Sequence, residues 1–235
     1  LNDRIVIEII GLTKAFRGRR AVDDVSAEFP SGAVTALLGL NGAGKTTLLR
    51  LIAGLDRPDA GTIRIHARPS GGDPRLVGFH LGPDAMDPRH TVARHLRWLA
   101  ALNGVDTGRV DAVLADTGLT ERRRDRIDRL SLGMRQRVAI AGALLAEPRA
   151  LLFDEPLNGL DVPGIVWFRA LLRRLADQGR TVVVATHLLG EVALTADHIA
   201  VLVDGRIGIS GELSELAPAG ADPRGWLETT LLEHA

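Results

Sequence analysis

Gly39, Gly44, Lys45 and Thr46 carry the spacing G-x-x-x-x-G-K-[ST], between an apolar run from Ala33 to Leu38 and a helical pattern that starts at Lys45. Glycines at such a turn let several backbone N–H groups converge on a phosphate chain. The helix that follows points its positive end at the same anion. Lys45 adds a full charge beside the β- and γ-phosphates, and the Thr46 hydroxyl is an oxygen ligand for Mg²⁺. Glycine-rich strand-to-helix turns also occur without ligands, but a lysine at a helix start with no anion to meet opposes the helix dipole. The stretch therefore reads as a nucleoside triphosphate site.

Four further segments bear on it. Ala150-Leu-Leu-Phe-Asp-Glu-Pro156 is an apolar run ending in two carboxylates. At the carboxyl end of a buried parallel strand, Asp154 is placed to hold Mg²⁺ through water, and Glu155 to polarise the water that attacks the γ-phosphate. Leu130-Ser-Leu-Gly-Met-Arg-Gln136 opens a helix, and Ser131 with the N–H groups around Gly133 makes a second anion-seeking helix start. Asn158-Gly-Leu-Asp161 follows the carboxylate pair, and Ala185-Thr-His187 ends the next strand, from which His187 reaches toward the γ-phosphate.

The elements that must position these residues follow from pattern. Strands are predicted at 5–10, 21–29, 33–38, 61–66, 75–80, 150–154, 181–185, 198–203 and 206–210. Helices are predicted at 45–53, 91–102, 109–117, 134–145, 163–178 and 188–195. The alternation of strands and helices implies an α/β fold with a largely parallel sheet, and the strand-free stretch from 91 to 146 implies an inserted helical subdomain. Thr91 is placed to cap its helix. Phe16 lies in a polar turn, where it either stacks on an adenine ring or packs under a sheet end. Trp98 lies at the edge of an apolar stripe, and Arg122-Arg-Arg-Asp-Arg126 reads as a solvated charged face.

Composition narrows the class. The 29 basic and 29 acidic residues cancel, so no global field points to a nucleic-acid partner. There is no cysteine, which excludes disulfides, thiol catalysis and thiolate metal sites. The longest apolar runs fall far short of the roughly 20 residues that cross a bilayer. No signal peptide is visible. A soluble, cytoplasmic protein is expected.

The order of these five motifs resembles the nucleotide-binding subunit of ATP-binding cassette (ABC) transporters, over about residues 5–216. The resemblance implies a P-loop NTPase (RecA-like) core with an antiparallel β subdomain and an inserted α-helical subdomain. The chain then divides into a core at 1–81 and 149–235 and a helical subdomain at 82–148. It implies ATP and Mg²⁺ as cofactors. Gly39, Asn41, Gly42, Gly44, Lys45, Thr46 and Thr47 match the Walker A loop, Asp154 the Walker B aspartate and Glu155 the catalytic glutamate. Leu130 to Met134, with Ser131 and Gly133, match the signature motif. Asn158 to Asp161 match the D-loop, His187 the switch histidine and Phe16 the aromatic that stacks on adenine. In the family, two subunits face head to tail and each ATP is held between one Walker A and the other's signature. The expected partners are therefore a second copy or a homologous ATPase, and an integral membrane subunit that holds the protein at the inner face of the membrane.

Two departures stand out. The usual signature, Leu-Ser-Gly-Gly-Gln, carries Leu132 and Met134 here. The glutamine of the family's Q-loop is replaced by Gly82, which predicts slow rather than absent hydrolysis. The variant signature and the segment Asp87 to Leu96 resemble bacterial drug- and antibiotic-export ATPases, which implies an exporter. The alternatives are a soluble non-transport cassette ATPase and an ATP-binding regulatory module.

Overall fold

The computed structural model describes residues 5–70, 73–218, 220 and 222–233. In chain order the elements are β1 (Ile5–Phe16), β2 (Arg19–Pro30), β3 (Ala33–Leu38), α1 (Lys45–Ile52), β4 (Ala60–Ile65), β5 (Arg68–Pro69), β6 (Val77–His80), α2 (Val92–Leu102), α3 (Arg109–Asp116) and α4 (Leu132–Leu144). They continue with β7 (Ala150–Asp154), α5 (Val162–Asp177), β8 (Thr181–Ala185), α6 (Leu189–Thr195), β9 (His198–Val203), β10 (Arg206–Glu212), α7 (Leu213–Leu216) and α8 (Pro223–Glu233).

Two sheets form. A six-stranded sheet runs β10-β9-β3-β8-β7-β6, with every pair parallel except β10 against β9 at one edge. Its central strands are buried on both faces, which is why Ala150-Leu-Leu-Phe153 and Val182-Val-Val-Ala185 are continuous apolar runs rather than alternating ones. Alternate residues serve different layers. Leu151, Phe153, Val182 and Val184 pack toward α2, α3, α4 and α5. Leu152, Val183, Ala185 and Leu202 pack toward α1 and the second sheet. That second sheet is antiparallel, in the order β2-β1-β4-β5, and contributes Ile7, Leu12, Val25, Phe29 and Ile63. The P-loop NTPase architecture expected from the motifs is the one observed.

Three details differ from expectation. β1 runs on through Thr13–Phe16 and joins β2 by a two-residue hairpin, Arg17-Gly18, both at positive φ. The segment read as a polar turn is thus mostly strand, and the Arg-Gly pair is the turn. α4 starts at Leu132, two residues earlier than the pattern suggested, because Ser131 already caps it. The C-terminal residues form α7 and α8. Leu227 is buried there, and Trp226 packs with it against Val192 and Leu213.

One glycine sets the distance between layers. A Cβ at Gly78, in β6, would lie 2.2 Å from the Ala143 carbonyl oxygen. Only glycine lets α4 settle this closely on the sheet edge.

Candidate nucleotide site

Parallel register brings three strand ends together. Leu37 pairs with Ala185, and Ala185 pairs with Asp154. The phosphate loop after β3, the carboxylates ending β7 and His187 after β8 therefore share one rim of the sheet.

The loop needs its glycines for space as well as conformation. At Gly39 (φ +153°) a Cβ would meet the Leu202 carbonyl oxygen at 2.3 Å, and at Gly44 (φ +107°) the Ala21 carbonyl oxygen at 2.1 Å. Lys45 opens α1 and is buried. Its Nζ donates to the carbonyl oxygens of Gly39, at 2.6 Å, and Leu40, at 3.2 Å. Burial lowers its pKa from the usual lysine range, and the nearby charges of Glu155 and Asp154 oppose that shift. The lysine and both carboxylates thus occupy one electrostatic site. Asn41, Gly42 and Thr46 are exposed on the rim, while Thr47 is half-buried.

Glu155 has φ +46°, unusual for a residue with a side chain and worth about 1–3 kcal/mol of strain. Four contacts hold it. Its N–H donates to the Ala185 carbonyl at 2.9 Å, and its own carbonyl accepts from Asn158 N–H at 3.3 Å and Gln136 Nε2 at 3.3 Å. Its carboxylate Oε2 stands 2.9 Å from His187 Nδ1. Gln136, buried on α4, is the site residue for which sequence reading gave no role; its place five residues after Ser131 is the only signal for it. The Asp154 carboxylate has no hydrogen-bond or ion-pair partner among the described residues. With the Thr46 hydroxyl it offers the hard oxygen donors that suit Mg²⁺.

The signature segment lies elsewhere. Ser131 Oγ accepts from Met134 N–H at 3.2 Å as the N-cap of α4. The neighbours of Gly133 are Gly159 and Leu160, not the phosphate loop: a Cβ there would lie 2.9 Å from the Gly159 carbonyl oxygen. Leu132, the variant signature residue, fills the space beside Gly159, where an added Cβ would come within 2.4 Å of its Cγ. Asp161 caps α5, its Oδ1 accepting from Gly164 N–H at 2.9 Å. The helical layer is stapled to α5 farther along. The Arg137 guanidinium stacks 4.0 Å over the Trp167 ring, and Trp167 Nε1 donates to the Asp116 carbonyl at 3.3 Å.

Phe16 stands 47 % exposed at the end of β1 with Lys14 Nζ 5.4 Å from its ring centre, so it does not pack under the sheet. Gly82 has φ +80° and ψ 167°, a backbone region open essentially to glycine alone. Arg122, Arg123 and Arg126 form surface ion pairs with Asp125, Asp111 and Asp128.

Comparison with known proteins identifies the family and the fold. A family model described as ABC transporter matches residues 22–158. The SkfA peptide export ATP-binding protein SkfE of Bacillus subtilis (strain 168) is 34 % identical over 86 % of this chain and 87 % of its own length. The bacitracin transport ATP-binding protein BcrA of Enterococcus faecalis is 35 % identical over 90 % of this chain and 70 % of its own. The aliphatic sulfonates import ATP-binding protein SsuB of Rhodopseudomonas palustris (strain BisA53) is 38 % identical over 83 % and 70 %. Among solved structures, an ATP-binding subunit of an ABC transporter superposes with a TM-score of 0.83 at 28 % identity, covering 96 % of this chain and 99 % of that one. The cassette MJ0796 in a post-hydrolysis state with ADP and Pi gives 0.80 at 25 % identity, covering 88 % and 98 %.

Proposed function

This chain belongs to the ABC transporter family as an ATP-binding, ATP-hydrolysing cassette, and we propose that it powers a separate membrane subunit that exports a drug-like or antibiotic-type substrate. The observation that carries the reading is the split site. The phosphate loop and carboxylates sit on one rim, while Leu132 and Gly133, beside Ser131, lie against Gly159 and Leu160 instead. A second cassette, turned head to tail, supplies the missing wall. Two ATP molecules are then buried at the seam, each between the phosphate loop of one copy and Ser131 of the other.

The residues divide the work. Phe16 stacks on the adenine. The N–H groups of residues 39–47 cradle the phosphates, and Lys45 leaves the carbonyls of Gly39 and Leu40 to meet the β- and γ-oxygens. Thr46 and Asp154 would hold Mg²⁺, which supplies charge neutralisation at the transferring phosphoryl group. Glu155 takes the proton of the attacking water, and His187 orients the Glu155 carboxylate and contacts the γ-phosphate. Asp161 meets the partner copy at the seam.

No described helix is long and apolar enough to cross a membrane, so transport needs another chain or segment. The docking surface is the groove of about 300 Å³ beside residues 82–90 and α2, where Leu81, Trp98 and Leu102 are exposed around Gly82 and His95. An amphipathic cytoplasmic segment of the membrane subunit fits it, placing the cassette at the inner face of the membrane. Export is favoured over import by the likeness to SkfE, a peptide export protein, together with the Leu132 and Met134 signature, although SsuB names an importer.

The test is co-purification with a polytopic membrane partner, followed by ATP turnover and substrate efflux in proteoliposomes. Efflux driven by Mg-ATP on the cassette side is expected. Uptake against that direction, or no membrane partner at all, overturns the proposal.

A further inference from the structure

β6 ends in a histidine that the nucleotide chemistry leaves unused. His80 is 1 % exposed, pairs in register with Phe153 and so ends one position short of the Asp154–Glu155 pair. Its ring lies 6.2 Å from that of Phe153. A neutral imidazole has one N–H donor and one acceptor. The Asp154 backbone and the Gln136 side chain border the ring, yet neither ring nitrogen completes a well-formed hydrogen bond. Gln136 is equally buried. Its Nε2 donates to the Glu155 carbonyl, while its Oε1 has no partner. Three orphan polar atoms thus share one buried spot, and each loses its water without a protein partner to replace it. A leucine at position 80 would avoid most of that cost, so a histidine there needs a use.

We infer that His80 is a positioning residue for hydrolysis: in the nucleotide-clamped state its ring N–H pairs with Gln136 Oε1. This fixes the amide with its NH₂ on the Glu155 carbonyl and holds the left-handed backbone of the general base. An amide has one donor end and one acceptor end, so a donor placed at the oxygen dictates where the NH₂ points. Gln136 rides on α4, the helix whose N-cap is Ser131. A small rotation of α4 at closure is therefore felt at Glu155 through this pair. Gly82, just past β6, has no side chain to reach the amide, and His80 is the polar residue that β6 buries beside it. The inference rests on Glu155 being the general base.

The experiment is steady-state ATP turnover of the full-length protein with Mg-ATP, together with its thermal midpoint. His80→Leu is expected to leave the midpoint equal or higher and KM for ATP unchanged, while kcat falls about tenfold. His80→Asn, which keeps an N–H near the same place, should recover most of kcat. His80→Leu with Gln136→Leu should be no slower than Gln136→Leu alone. A His80→Leu protein with wild-type kcat overturns the inference, as does a loss of kcat that tracks a lowered midpoint and that Asn fails to rescue. Equal turnover in wild type and Glu155→Gln would instead remove the general base, and this inference with it.

Discussion

His187 Nδ1 stands 2.9 Å from Glu155 Oε2, joining the residues that follow two neighbouring parallel strands. With the proton on Nδ1, the ring donates to the carboxylate and fixes its orientation. Glu155→Gln is expected to cut turnover by a factor of about 10²–10⁴ while ATP binding persists, because a general base is lost and no binding group is. A stable ATP-bound dimer on size-exclusion chromatography should accompany it. His187→Ala should also slow turnover, without a comparable rise in KM. Wild-type turnover in either variant would contradict the assignment.

Lys45 is held by its own loop. Its buried ammonium needs the Gly39 and Leu40 carbonyls until phosphate arrives. Lys45→Met removes a buried charge but keeps much of the stem. The fold should survive with a thermal midpoint near that of wild type, while ATP affinity measured by calorimetry drops by at least about tenfold, the weight of a hydrogen bond to a charged group.

Leu132 and Gly159 are expected to be energetically coupled. Gly159→Ala introduces a Cβ at φ +82° within 2.4 Å of Leu132 Cγ, so both backbone strain and a clash follow. Adding Leu132→Gly relieves the clash and leaves the strain. Denaturant unfolding of the four proteins should give a coupling of about 0.5–3 kcal/mol. Strict additivity would mean that the two segments do not touch.

Gly82→Gln tests whether the missing glutamine limits the rate. Because φ +80° and ψ 167° suit glycine alone, the substitution should cost about 1–3 kcal/mol in stability. Gly82→Ala should show the same loss and serves as the strain control. If Gly82→Gln raises kcat above Gly82→Ala, the rate is limited by the absent side chain; equal kcat in the two removes that explanation of slow hydrolysis.

His95 gives a pH dependence. It is 3 % exposed and its pKa is lowered, first by burial and then by His90, with Asp87 opposing. Its folded pKa lies below the unfolded value, so the unfolded chain binds the proton first. The contribution is present above about pH 6.5 and is lost as pH falls below that value. His95→Leu should flatten the loss of stability as pH falls below about 6.5. An unchanged slope would show that His95 protonates equally in both states.

Much of this site was legible in the chain because its residues are read by local rules. Apolar runs ending in Asp154 and Ala185 mark buried parallel strands, and their ends must share a rim. Thr91 and Ser131 cap helices through their own hydroxyls, bonds made within three residues. The rest depended on pairing that no local pattern carries. Thr13–Phe16 is strand because β2 lies beside it, not because of its own composition. α8, which is absent from the predicted helices, covers only a small patch around Leu227, although Asp222 before Pro223 is a helix-start signal. The role of Gln136 emerges only when α4 is laid against β7.

The stack of Arg137 on Trp167 has a mechanical consequence. It links α4, the signature helix, to α5, the helix capped by Asp161. Tilting one without the other then costs this stack, on the order of 0.5–1 kcal/mol at an exposed site. On the proposed function, a tug from the membrane subunit would favour moving two walls of the nucleotide seam together.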